Sequence, residues 1–441
     1  MTSSLPQVII SLLAGIFIII LLTTRFRVHA FFALILASFV VGLGVQIPTL
    51  QVVNLVKEGF GNIMKSLGLI IVLGTALGVL LEHTGSTRVM AAYILKRVGD
   101  KYAAFAMSIT GFVVGLPIFC DSGYIVLSGL NKSLARRTGV SIVIMSVSLA
   151  TGLYAVHCLI PPHPGAAAAA GALSVPFGKL ILIGVIVAFP AMLVGHWWAK
   201  YAGKKIPFLR TTEEEIDAAH EKLPTPLKAF LPVVVPILLI ALHSVVDGIP
   251  APTPWQQFIL VLGDPVIALA AGVLLALNAG SGWNRNSLSK LLTDAAEKAG
   301  GILVIIGAGG AFGAVLAATK IGEHFGNAVA LGSMGILFPF LLTFILKTAQ
   351  GSSTVAIITA ASVVLPLLPS LQLDTENGRL LSVLAMGAGS MMISHANDAY
   401  FWVIAKFSGL DMKTMLRVYS VSTVWMGLVS LLMTYLVSFF I

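Results

Sequence analysis

The chain has 441 residues, 57% of them hydrophobic and only 10% charged, with a mean hydropathy of +0.98. Apolar stretches of membrane-spanning length recur from end to end, so a soluble catalytic domain has no room and the chain reads as a polytopic membrane protein. The net charge of +9 could suit nucleic acid, but if successive stretches cross the membrane, 21 of the 27 Lys and Arg fall in loops on one side, five on the other and Lys347 in between; that set is cytoplasmic by the positive-inside rule, and no nucleic-acid partner is implied.

On that assignment residues 5–24 form a retained inward span, 30–47 run outward, and 66–81 run inward after an amphipathic connector holding Lys57, Glu58 and Lys65. Residues 102–134 are interrupted by Pro117-Ile-Phe-Cys-Asp-Ser-Gly123 and flanked by cytoplasmic basic residues, which predicts a re-entrant hairpin open to the cytoplasm. Residues 140–156 go outward and break at His157-Cys-Leu-Ile-Pro-Pro-His-Pro-Gly165, where three prolines prevent a continuous helix. Residues 177–198 return. The long polar stretch that follows, with Glu213, Glu214, Glu215 and Asp217 among lysines, is expected to be a solvated cytoplasmic linker.

Beyond the linker, residues 229–246 go out, 265–277 and their flanks come in, and 300–318 go out. Apolar segments 331–346 and 355–368 are each too short to cross comfortably, and the polar stretch Lys347-Thr-Ala-Gln-Gly-Ser-Ser-Thr354 between them predicts the tip of a second hairpin, open to the outside. Residues 380–403, broken at Ser394-His-Ala-Asn-Asp398, run inward, and 420–440 end outside, so both termini are expected to be extracytoplasmic.

A shift of 235 residues takes Gly74 to Gly309, Leu116 to Gly351 and His163 to Asp398, superposing a glycine-rich helix, a hairpin tip and a helix break on their counterparts. The expected fold class is therefore an all-α polytopic membrane protein: an inverted-repeat secondary transporter of about ten crossings, two re-entrant hairpins and two broken helices. The first repeat covers residues 1–199, the linker 200–227 and the inverted second repeat 228–441.

The chemistry-bearing residues lie at those interruptions. Lys347, a charge inside the hydrocarbon region, is expected to partner a substrate carboxylate, against the alternative of a lysine that snorkels to the interface. Gly351, Ser352, Ser353 and Thr354 offer amides, hydroxyls and a helix N-terminus to the same anion, and Ser122 and Gly123 offer them in the first half; a plain packing turn is the alternative. Asp121 and Asp398 are the carboxylates placed in membrane breaks and are expected to carry coupling protons, though Asp398 could equally cap a half-helix. His163, His395 and Asn397 are candidate hydroxyl contacts, with structural roles as their alternatives; His157 lies beside the first break. No metal site and no cofactor are implied, and Cys120 and Cys158 are too few for a disulfide framework. Gly307-Ala-Gly-Gly-Ala-Phe-Gly313 imitates a dinucleotide fingerprint but lacks the strand such a motif needs, and reads as close helix packing.

Pro161-Pro-His-Pro-Gly165, Gly263-Asp-Pro265, Gly307-Ala-Gly-Gly-Ala-Phe312, Gly351-Ser-Ser-Thr-Val-Ala356 and Ser394-His-Ala-Asn-Asp398 with Phe401-Trp402 resemble, in this order, the gluconate permease family of the ion transporter superfamily. The resemblance implies a proton-coupled importer of a small carboxylated substrate such as gluconate, in the bacterial inner membrane, with a homodimer among the assemblies it admits. The family has an acidic residue where this chain has Asp121, and often arginine in place of Lys347. Typical gluconate carriers have Phe-Tyr-Glu-Val-Gly where this chain has Phe119-Cys-Asp-Ser-Gly123, which leaves D-serine and other hydroxy acids open as substrates. Sodium coupling, a passive anion channel using the same turns as a filter, and a membrane-embedded enzyme remain as alternatives.

Overall fold

A computed structural model describes residues 4–204, 206, 223–247, 249, 253–280, 284–320 and 332–441. The acidic part of the expected linker, residues 213–217, lies outside them. The described residues are helical throughout, with no strand.

The chain opens with α1 (Leu5–Thr24), α2 (Ala30–Gly44) and α3 (Thr49–His83). The connector expected at Lys57, Glu58 and Lys65 is instead part of α3, an unbroken helix of 35 residues. The reason is periodicity: Val52, Gly59, Ile63, Leu67 and Ile70 are buried at helical spacing while the three charges stay exposed, and no proline or αL residue intervenes. A further helix not foreseen, α4 (Ser86–Val98), carries Arg88, Lys96 and Arg97; the αL residue Gly85 separates it from α3 and Gly99 ends it.

There follow α5 (Ala103–Gly115), α6 (Cys120–Thr138), α7 (Ile142–Leu159), α8 (Pro164–Ala172) and α9 (Phe177–Gly203). The first interruption is narrower than expected, because Asp121, Ser122 and Gly123 already belong to the first turn of α6. Helix α7 is buried on every side, and its tight crossing with α5 depends on Gly152, where an added methyl would run into the backbone of Ser108 and Phe112. Cys120 and Cys158 are both buried and free.

The remainder comprises α10 (Pro226–Val246), α11 (Pro254–Leu262), α12 (Pro265–Ala279), α13 (Arg285–Ala318), α14 (Leu337–Gln350), α15 (Ser353–Val364), α16 (Glu376–Met391), α17 (Ala399–Ser408) and α18 (Val421–Val437), the last continuing a π-helical turn at Met415–Ser420. Helices α11 and α12 meet at 64° where Pro265 starts α12. Helix α13 packs along α3, and its glycine run serves that contact: Gly310 abuts Gly59 and Ile63, and Gly307 abuts Phe60. The second interruption shrinks to Gly351 and Ser352, so Lys347 lies in the last turn of α14.

Element boundaries recur at the sequence offset. Adding 235 to α2, α5 and α7 gives 265–279, 338–350 and 377–394, against Pro265–Ala279, Leu337–Gln350 and Glu376–Met391. Among the described residues, by length and composition, seven helices can cross a membrane, or eight with the bent α11–α12 pair, against the ten expected. The two shortfalls are α2, with 15 residues, and the broken α16–α17 unit. Large apolar side chains remain exposed along the long helices, among them Leu13, Phe17, Leu69, Ile186, Leu238 and Leu274, as a lipid-facing surface requires.

Candidate functional site

The site forms where the C-terminal end of α14 meets the loop between α16 and α17. A helix end buried in a membrane protein leaves carbonyls that water cannot reach. Here side chains of the loop supply the donors: Asn397 Nδ2 donates to Thr348 O at 2.8 Å and to Ala349 O at 3.3 Å, and His395 Nε2 donates to Thr348 O at 3.2 Å. Lys347 Nζ donates to Gly351 O at 2.6 Å, adding a cation at the negative end of the helix dipole. The chain can turn here only because Gly351 takes a left-handed φ of 80° and has no Cβ; a methyl group would collide with the backbone oxygen of Asn397.

The loop is satisfied in its own right. Ser394 N donates to Thr423 Oγ1 at 3.0 Å, Ser394 O accepts from Ser420 Oγ at 2.5 Å, and Ala396 O accepts from Trp402 Nε1 at 2.8 Å. Asp398 then caps α17, its Oδ1 accepting from Tyr400 N at 3.0 Å. Its other oxygen accepts from Ser394 Oγ at 2.5 Å and from Lys347 Nζ at 2.7 Å. Lys347 and Asp398 are 1% and 6% exposed, so this is a buried, hydrogen-bonded charge pair joining the helical turn to the helix break. The cap anticipated for Asp398 and the pairing are made by different oxygens of one carboxylate.

The other predicted residues divide around this pair. Ser352 caps α15, its Oγ accepting from Val355 N at 3.2 Å; Ser353 is buried, and Thr354 packs against Gly165 at the start of α8. His163 is buried and donates from Nε2 to Gly115 O at 2.7 Å, holding the end of α5 as the loop above holds the end of α14. Its Nδ1 has no partner, and neither has His157 Nδ1, with the two rings 4.9 Å apart. Gly123 is buried against Leu153 and Ser122 is half-buried. Asp121, expected in a poorly solvated place, is exposed instead, because it sits on the outward side of the first turn of α6, with Oδ1 accepting from Ser122 N. Contacts nevertheless cross between the halves: Tyr124 of α6 bonds Ser408 of α17 at 2.5 Å, and Tyr154 of α7 donates to Ser390 O at 3.1 Å.

Sequence reasoning missed Ser394, Gln350 and the buried tyrosines. Gln350 is notable because both side-chain amide atoms are buried with no hydrogen-bond partner. The signals were present in part: Gln350 lies inside the interrupted stretch and Ser394 opens the second break. Tyr124, Tyr154, Tyr400 and Tyr419 gave none, being spread over nearly 300 residues of apolar sequence.

The fold defines a polytopic helical membrane protein. The family model described as GntP family permease matches residues 7–440. A gluconate permease of Pseudomonas aeruginosa is 34% identical over 430 residues, covering 95% of each chain. The D-serine transporter DsdX of Escherichia coli O6:H1 is 31% identical over 445 residues, covering 98% of this chain and 99% of its own. Among solved structures, the YdaH transporter of Alcanivorax borkumensis shares the fold with a TM-score of 0.63 at 17% identity, over 86% of this chain and 87% of that one. The chain belongs to the GntP family of permeases.

Proposed function

We propose that the protein is a secondary active transporter importing a small hydroxylated monocarboxylate together with a proton across the inner membrane. The observation carrying this reading is the buried Lys347–Asp398 pair, set between the turn after α14 and the break before α17. An ion pair removed from water is retained at a cost, and breaking it by removing one partner leaves an uncompensated charge. Protonation of Asp398 neutralises the carboxylate and frees the Lys347 ammonium, and a substrate carboxylate restores the charge balance. Proton and anion therefore bind together or not at all, which is the logic of symport. Asp121, exposed on α6, serves this scheme as a second acid through which a proton reaches the site.

Architecture supports the same reading. The α5–α6 and α14–α15 pairs act as re-entrant hairpins, α7–α8 and α16–α17 as broken helices, and the halves as oppositely oriented repeats with both termini outside. Gly351, Ser352, Ser353 and Thr354 supply amides and hydroxyls to the anion, with Ser122 and Gly123 opposite; His163, His395 and Asn397 reach the hydroxyls once a moving hairpin releases their carbonyl partners. The similarity to a gluconate permease and a D-serine transporter favours a substrate with one carboxylate and adjacent hydroxyl or amino groups.

Counterflow in proteoliposomes with gluconate, glycerate, hexuronates and D-serine, at two pH values with and without sodium, tests this directly. Exchange of one of these that rises with external acidity and ignores sodium is the expected result. Sodium dependence would reassign the coupling ion, and exchange of none of them would reject the substrate class.

A further inference from the structure

A cavity of about 350 Å³ opens between the ends of α5, α7 and α9, at the far end of α7 from the helix break. Lys101, Lys200 and Lys204 line it, and among the described residues no acidic side chain does. The neighbouring Asp100 is engaged by Arg137 at 2.5 Å and does not neutralise them. Ser141, the N-cap of the 18-residue α7, forms part of the wall, so the positive end of a long helix faces the same space as the three ammonium groups. The other walls are apolar: Tyr102, Phe105, Val140 and Ile144, with the buried His196 ring packed on Phe105.

Positive charge at the rim and apolar walls behind it match one ligand chemistry, a phosphate group carried on a hydrocarbon. We propose that this cavity binds the phosphate of an anionic phospholipid, the headgroup held by Lys101, Lys200, Lys204 and the α7 N-terminus, and the acyl portion lying on Tyr102, Phe105 and Ile144. Basic pockets between transmembrane helices on the cytoplasmic side are where such headgroups bind. The three lysines belong to the cytoplasmic set; only this choice of leaflet rests on the orientation proposed above. From Ser141 to His157 the axis of α7 rises roughly 24 Å, at ~1.5 Å per residue, so the cavity is distinct from the Lys347–Asp398 site but shares a rigid helix with it.

The test uses the purified full chain in phosphatidylcholine nanodiscs, titrated with phosphatidylglycerol, with further phosphatidylcholine, or with inorganic phosphate, and read by native mass spectrometry and melting temperature. Saturable phosphatidylglycerol binding that raises the melting temperature is expected, weakened by roughly an order of magnitude in K200Q/K204Q. Both lysines are exposed, so that variant should melt as wild type in phosphatidylcholine alone. Ala104→Phe, which fills the cavity without changing charge, should give the same loss. If inorganic phosphate produces an equal shift that both variants abolish, the site is upheld with free phosphate as its ligand. Equal phosphatidylglycerol binding by wild type and both variants, or no preference over phosphatidylcholine, overturns the proposal. Neither result depends on transport, so its failure is separate from failure of the symport reading.

Discussion

One carboxylate does two jobs in this protein. Asp398 Oδ1 caps a helix, which fixes the side chain, while Oδ2 faces Lys347, so the proposed coupling acid is held in place without spending the oxygen that reacts. Replacing Asp398 with Asn leaves the cap geometry but strips Lys347 of its counter-ion; a loss of about 3–5 kcal/mol of stability is expected from an orphaned buried charge. Substrate should restore part of the lost melting temperature, because its carboxylate takes the vacated position. The double change Lys347→Gln with Asp398→Asn should melt higher than either single variant and still not transport, as a double-mutant cycle of melting temperatures would show. Gln350 offers the complementary case. Its buried amide is unpaired, so Gln350→Leu should leave the melting temperature unchanged or raise it, while affinity for a hydroxylated substrate falls about tenfold, the scale of one lost hydrogen bond. Equal affinity for hydroxylated and deoxy substrates in the wild type would show that Gln350 reads no hydroxyl.

Among the elements, interruptions were more legible than continuity. Proline-rich and Gly-Ser-Ser stretches stand out in apolar sequence because they cannot continue a helix, and helices do end in or beside each of the four stretches. The starts of α3 and α13 were not legible, because hydropathy alone cannot tell an amphipathic connector from the amphipathic first half of a long helix; only the burial of Val52, Gly59 and Ile63 against a neighbour settles it. Of the candidate site, the burial of Lys347 and Asp398 was legible, as charges in apolar surroundings. Their mutual pairing, 51 residues apart, was not, since the register of two helix ends is set by packing that one sequence does not display. For His395 and Asn397 the sequence left hydroxyl contact and a structural role both open, and in the structure both donate to the carbonyls ending α14. The turn itself makes a sharp prediction: Gly351→Ala forces a Cβ into Asn397 and a side chain into left-handed backbone, the latter alone costing about 1–2 kcal/mol. Substrate binding measured calorimetrically should be lost in this variant while helicity by circular dichroism is kept; retained binding would mean that the turn is not part of the site.

Across the whole molecule, the proposed coupling requires that the α14–α15 turn and the α16–α17 break separate and rejoin as the proposed site faces one side and then the other. The contacts between halves, Tyr124 with Ser408 and Thr354 with Gly165, are where that movement must be accommodated. A cysteine pair replacing Gly165 and Thr354, once cross-linked, should arrest transport, and reduction should restore it; transport unaffected by the cross-link would fix this contact as static scaffold. The orientation of the halves is open to labelling of single cysteines from either side of the membrane, with the loop at Thr138 and Gly139 reached from the cytoplasm and Gln372 from outside. The most direct measurement is uptake into proteoliposomes under an imposed inward proton gradient, comparing wild type with Asp398→Asn in both uphill accumulation and exchange at equal concentrations. The wild type should accumulate substrate and the variant should exchange it without accumulating it; accumulation by the variant at the wild-type level would contradict the assignment of coupling to the Lys347–Asp398 pair.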